Sequence, residues 1–327
     1  MKICIVGAGA IGGYMGAKLA LAGEEVTLIA RGAHLAAIQQ NGLQLITSEG
    51  EQNFVPAASI AATDDMSQAG PQDLVIVTLK THSLPAIVQP MRALYGPATL
   101  VVMAQNGVPW WYFHKHGGPH EGQRIEAVDP GGLIEANLEI ARVIACIVYP
   151  AAELIAPGIV RHLEGERFTI AELDGVKTER IQRLAQTFNH AGLKAPIRPR
   201  IRPELWVKLW GNLAFNPISA VTRATLLDIC QYPPTRELAR QMMVEAQTIA
   251  QKLGIDFGVS IEQRIVGAEK VGAHKTSMLQ DIEAHRPTEI DAILGAVIEL
   301  GRLTDTSTPH LDTLYASVKL LEQPASL

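Results

Sequence analysis

The chain has 327 residues, 47% hydrophobic and 19% charged, with a formal net charge of -5. That is long enough for two domains with sizeable cores, and the balance excludes a disordered or fibrous chain. The acidic charge also speaks against a nucleic-acid partner: the densest basic cluster, Arg198, Arg200 and Arg202, is interleaved with prolines. Cys4, Cys146 and Cys230 fall at no metal or redox spacing, which predicts a reducing compartment and no disulfide framework. The first apolar run is short and breaks into glycines, and no stretch reaches the roughly eighteen apolar residues of a membrane span, so the expectation is a cytoplasmic protein.

Lys2-Ile3-Cys4-Ile5-Val6 reads as a buried strand, and Met15, Leu19 and Leu21 fall at helical spacings. Between them stands Gly7-Ala8-Gly9-Ala10-Ile11-Gly12. In a dinucleotide-binding turn the first glycine permits the bend, the second admits a pyrophosphate to the backbone, and the third lets helix and strand pack closely. The helix terminus then offers free N–H groups and a positive dipole end to phosphate. The weaker alternative is a glycine-rich turn with no ligand. A second strand over 25–30 ends in Ala30-Arg31-Gly32, where an NAD site usually carries an acidic residue. Arg31 therefore points to the 2′-phosphate of NADP(H), against the alternative of an ordinary solvated arginine.

Residues 41–60 carry Asn41-Gly42 and Glu49-Gly50, which predicts short strands or a hairpin. Strands over 73–79 and 99–104 deliver Lys80-Thr81 and Gln105-Asn106-Gly107-Val108 to the edge of the sheet where ligands bind. Lys80 there either approaches the cofactor or is a surface lysine, and Asn106-Gly107 is at least a turn. Trp110-Trp111-Tyr112-Phe113 then gathers four aromatics in a chain with few, which reads as a packing element or a subunit contact before a pocket wall. His114, His116 and His120 follow among glycines, a mobile loop; no Cys, Asp or Glu completes a metal set at a usual spacing, and no metal is expected. Strands over 143–149, 159–162 and 167–170 and a helix over 178–191 lead to the proline-rich stretch 194–203.

After that stretch helical spacings cover 204–217, 234–253, 260–273, 278–285, 287–303 and 309–322. The expected fold is α/β, an N-terminal Rossmann-type dinucleotide-binding domain over 1–199 followed by an all-helical domain over 200–327. Lys208, Asn212 and Asn216 lie four residues apart and share a helix face, drifting by about 40° per step. Asn is a mediocre helix former, so two of them beside one lysine on an otherwise apolar helix suit a ligand-facing stripe better than a solvated one. Ser277 with Gln280 matches a capping box, and a helix start with a hydroxyl is equally a carboxylate site. Glu289 falls in the first turn of the next predicted helix, where the dipole favours a carboxylate.

Taken in order along the chain, Gly7 to Gly12, Arg31, Lys80-Thr81, Gln105-Asn106-Gly107-Val108, Lys208 with Asn212 and Asn216, Ser277-Met278-Leu279-Gln280-Asp281 and Thr288-Glu289-Ile290-Asp291 resemble the ketopantoate reductase family. The resemblance implies an NADPH-dependent reduction of 2-dehydropantoate (ketopantoate) to pantoate in pantothenate biosynthesis. Lys208 would be the proton donor, and Glu289 would contact Lys208, the substrate or the cofactor ribose, its negative charge nearby favouring protonated Lys208. It further implies that Ser277 binds the substrate carboxylate, that Asn212 and Asn216 bind its hydroxyl or carboxylate, and that Asn106 sits by the nicotinamide. Gly7, Ala8, Gly9, Ala10, Ile11, Gly12, Arg31 and Lys80 would hold the cofactor, with a backbone contact from Ala151. The partner implied is a small 2-oxo acid, and the assembly a homodimer. Two departures touch the expected pocket: the segment 109–137 is longer than the usual family loop, and Leu226 stands where the family often carries a polar residue. A different branched 2-oxo acid is therefore the alternative substrate, and a non-catalytic NADP(H) sensor the alternative class.

Overall fold

Residues 1–323 are described by the structure, a computed structural model. The first apolar run becomes β1 (Lys2–Val6), followed by α1 (Ala10–Leu21), β2 (Glu25–Ile29) and α2 (Gly32–Asn41). The hairpin expected over 41–60 is β3 (Leu43–Ile46) antiparallel to β4 (Gln52–Val55). Then come β5 (Ala61–Thr63), β6 (Gln72–Val77), β7 (Tyr95–Met103), β8 (Val143–Val148), β9 (Ala151–Ala156), β10 (Ile159–Glu164), β11 (Phe168–Ala171) and α3 (Glu179–His190). Ile3, Cys4, Ile5 and Val6 are completely buried because β1 lies inside a seven-stranded sheet of order β11-β8-β7-β6-β1-β2-β5. Every pairing in it is parallel except that of β11 with β8. A continuous apolar run is the signature of such a strand, covered on both faces.

The sequence pattern did not announce the second sheet, of order β4-β3-β10-β9. It packs on α1: a Cβ on Gly13 would lie 2.7 Å from the Val160 side chain of β10. Ala151, expected near the cofactor, opens β9 opposite Glu164.

The chain separates into two compact units. The first comprises Met1–Gln105, Phe113–Gly122 and Leu133–Ile201; the second comprises Asn106–Tyr112, Gln123–Gly132 and the described residues from Arg202 onward. In the first unit, residues 114–121 fold back on themselves: Glu121 accepts the N–H groups of Lys115 and Gly117 at 2.6 Å each.

The second unit is helical. Its first helix, α4 (Ile201–Thr222), is longer than the apolar spacing suggested and carries Pro217 in its interior. Trp206 and Trp210 of α4 are fully buried. Trp206 donates to the Tyr112 hydroxyl at 2.7 Å, and Trp210 donates to the Met243 carbonyl at 2.9 Å and stacks on Phe257. Burying indole rings without leaving their N–H groups unpaired fixes the rotation of α4 about its axis.

The unit continues with α5 (Leu226–Gln231), α6 (Pro233–Lys252), α7 (Ile261–Lys270), α8 (Ser277–Glu283), α9 (Ala296–Leu303) and α10 (Pro309–Leu321). The sequence reading missed α5, a short helix held by a capping box between Thr225 and Asp228, and Leu226 is its first residue. The cap of α8 is Thr276, which accepts the Leu279 N–H at 3.2 Å, so Ser277 is the first helical residue rather than the cap. Thr276 takes that role because its side chain is buried at the turn, whereas Ser277 is exposed. Glu289 precedes its helix instead of lying in the first turn, because residues 286–288 are irregular and the helix opens as a π-turn, Asp291–Gly295, before α9. Among the described residues no helix is long and apolar enough to cross a membrane.

Candidate active site

In the first unit the glycine-rich turn has the properties a dinucleotide needs. Gly7 stands at φ +105°, a backbone conformation that a side chain resists, and directs the chain from β1 into α1. At Gly12 a Cβ would lie 2.1 Å from the Gly7 carbonyl oxygen and 2.5 Å from Thr78 Oγ1, so only glycine fits where α1 crosses the end of β1. Thr78 locks the turn by donating to that carbonyl at 2.6 Å. At Gly9, by contrast, a Cβ would meet nothing within 4 Å, and the backbone is open to an approaching group. No side chain caps α1, and Gly13 donates back to Gly9 at 2.7 Å, so the N–H groups of Ala10, Ile11 and Gly12 precede the helical ladder. An open backbone and uncapped donors at a helix N-terminus suit a diphosphate.

Arg31 ends the segment after β2 and stands exposed immediately before α2, which also lacks a side-chain cap. Lys80 follows β6 at the same carboxyl edge of the parallel strands, half-buried before a short 3-10 turn. Among the described residues no group of His, Cys, Asp or Glu is arranged to hold a metal.

In the second unit α4 carries Lys208, Asn212 and Asn216, and Asn216 is only 6% exposed. The Lys208 ammonium donates to Asn106 Oδ1 at 2.6 Å, and the Asn106 amide nitrogen donates toward Glu289 Oε2 at 3.4 Å. One asparagine thus links the lysine and the carboxylate, using its acceptor on one side and its donor on the other. Neither Asn212 nor Asn216 has a hydrogen-bond partner among the described residues.

Two residues near this stripe went unread in the sequence. A Cβ on Gly211, between Lys208 and Asn212, would fall 1.8 Å from the Arg264 guanidinium, which donates to the Val207 carbonyl at 3.4 Å. The available signal was the glycine itself: inside a helix it costs about 1 kcal/mol relative to alanine and asks for a packing reason.

Known proteins are similar to this chain over nearly its whole length. The family model described as "Ketopantoate reductase PanE/ApbA" matches residues 3–175, and that described as "Ketopantoate reductase PanE/ApbA C terminal" matches residues 200–322. A 2-dehydropantoate 2-reductase of Mesorhizobium japonicum is 53% identical over 322 residues, covering 98% of each chain. A solved structure named as a candidate ketopantoate reductase from Ralstonia solanacearum MolK2 is 42% identical with a TM-score of 0.92, over 98% of this chain and 97% of that one. A solved D-mandelate dehydrogenase, in a ternary structure with NADH and anilino(oxo)acetate, is 25% identical with a TM-score of 0.82, over 98% of each chain. With both of its halves matched and a relative this similar over almost its whole length, the chain belongs to the ketopantoate reductase family.

Proposed function

We propose that this protein reduces 2-dehydropantoate to pantoate with NADPH. The observation that carries the reading is the Lys208–Asn106–Glu289 chain beside two unpartnered amides on the same helix face. The cofactor residues would be Gly7, Ala8, Gly9, Ala10, Ile11 and Gly12 for the diphosphate, Arg31 for the 2′-phosphate, and Lys80, Asn106 and Ala151 for the remainder. When bound, the reduced dinucleotide supplies hydride to the keto carbon.

The protein's own residues then manage the oxygen and its proton. As hydride arrives, charge develops on the carbonyl oxygen, and the Lys208 ammonium stabilises it and gives up a proton. Asn106 accepts from the Lys208 ammonium and so aims it, while the Glu289 carboxylate favours the charged, proton-bearing form of the lysine. Asn212 and Asn216 present amides to the hydroxyl and carboxylate ends of the oxo acid, and the Ser277 hydroxyl is a further donor to the carboxylate.

NADPH oxidation followed by absorbance tests this reading, with ketopantoate, other branched 2-oxo acids and the oxo acid corresponding to mandelate as substrates and NADH as the alternative cofactor. Turnover of ketopantoate with NADPH is expected, and Lys208→Ala is expected to lower kcat by about 10²–10⁴ while leaving NADPH binding intact. Preference for another oxo acid would keep the chemistry and replace the substrate. Absence of turnover with NADPH still bound would sink the catalytic reading.

A further inference from the structure

The last helix takes no part in the chemistry above, yet its polar side chains converge on the segment that carries Glu289. Glu322, at the end of α10, accepts the Thr288 N–H at 2.7 Å. The Tyr315 hydroxyl donates to Asp291 Oδ1 at 2.7 Å, and the Lys319 ammonium donates to Asp291 Oδ2 at 3.1 Å while lying 3.8 Å from Glu322. Thr288, buried, accepts the Ile290 N–H at 3.2 Å. The backbone is thereby pinned on both sides of Glu289, at 288 and at 291.

The helix that follows does not start as an α-helix. Across Asp291–Gly295 it is a π-turn, and the Ala296 N–H reaches back five residues to the Asp291 carbonyl. Such turns are rare, occur mostly as single-turn insertions in α-helices, and are frequent at functional sites. Here Tyr315 braces it: its hydroxyl holds Asp291, and its ring would lie 3.2 Å from a Cβ on Gly295. Burial and the bond to Asp291 push the Tyr315 hydroxyl up to about 12, so it stays a donor at any working pH. The same turn offers the Ala292 carbonyl to the Val108 N–H at 2.8 Å. Gly107, at φ +87°, presses so close that a Cβ there would lie 2.5 Å from the Ala292 oxygen. Glu289 and the loop bearing Asn106 are therefore both set by one irregular turn.

We propose that Tyr315, Lys319 and Glu322 are positioning residues for the reaction, holding the π-turn that sets Glu289 and Asn106 against Lys208. They act through the backbone and carboxylate they hold, and the inference rests on the assignment of Lys208, Asn106 and Glu289 to the chemistry. A displacement of about 1 Å at a reacting group costs on the order of a hundredfold in rate, so a brace at this distance is kinetically visible.

The test is steady-state kinetics on Tyr315→Phe, Glu322→Ala and Glu322→Gln, with Lys208→Ala as reference, NADPH affinity by fluorescence titration and a thermal melt for each variant. Tyr315→Phe removes one oxygen, so it tests the brace even if Glu322→Ala folds poorly. Tyr315→Phe and Glu322→Ala are expected to lower kcat about ten- to a hundredfold with NADPH affinity unchanged. Glu322→Gln keeps an oxygen for the Thr288 N–H and is expected to recover most of kcat. Wild-type kcat in Tyr315→Phe and Glu322→Ala, beside an inactive Lys208→Ala, would overturn the inference alone. So would a loss that glutamine does not reverse. Full activity of Lys208→Ala would overturn the reading of the site, and the inference with it.

Discussion

The proposed preference for NADPH rests on one side chain, Arg31. It is exposed at the end of β2, where a dinucleotide site that prefers NAD carries a carboxylate, and the uncapped start of α2 adds free N–H groups beside it. A guanidinium and a helix terminus together favour a phosphate dianion. Arg31→Ala is therefore expected to raise KM for NADPH by about ten- to a hundredfold, the worth of a charge-assisted hydrogen bond, and to leave KM for NADH nearly unchanged. Equal shifts for both cofactors would show that Arg31 does not read the 2′-phosphate. The position of Arg31 after β2 was legible in the sequence because the glycine motif sets its distance along the chain. Asn106 as the bridge between Lys208 and Glu289 was not, since the three lie far apart in sequence and only folding brings their polar atoms together.

At the scale of elements, α1 and α4 are each shaped by a glycine under a close neighbour, and the neighbours differ in kind. At Gly12 the obstacle is a backbone oxygen and the locked Thr78 hydroxyl. Neither can step aside, so Gly12→Ala is expected to cost about 3 kcal/mol, the upper end for an inserted methyl, seen as a lower midpoint in urea unfolding. A stability within about 0.5 kcal/mol of wild type would mean that α1 slides on β1 at little cost. At Gly211 the obstacle is the end of the flexible Arg264 side chain, which can swing away. The helices themselves were readable from apolar spacing, down to the face shared by Lys208, Asn212 and Asn216. The cap of α8 was displaced by one residue because Ser277 and Thr276 are chemically equivalent caps, and burial, which a sequence does not display, chose Thr276.

On the scale of the whole molecule, the two units build their cores differently. The first packs a buried parallel sheet against α1 and a small second sheet, and the second packs helices around Trp206, Trp210 and Phe257. The glycine turn lies wholly within the first unit. NADPH at about a hundred times its Kd is therefore expected to stabilise that unit by about 2.7 kcal/mol, seen in a thermal melt as a rise of roughly 5–10 °C. An unmoved transition under saturating NADPH would remove the dinucleotide from this unit.

By itself the sequence determined most of the strands, the glycine turn, most of the helices and the residue types of the candidate site, because these follow from local periodicity, glycine spacing and short motifs. Tertiary structure alone decided that residues 106–112 and 123–132 pack with the helical unit, and that β3, β4, β9 and β10 form a second sheet. It also decided that the helix after Glu289 begins as a π-turn held by the last helix. Each of these depends on contacts between residues distant in the chain, whose cost and reward are settled only when the surrounding core has formed.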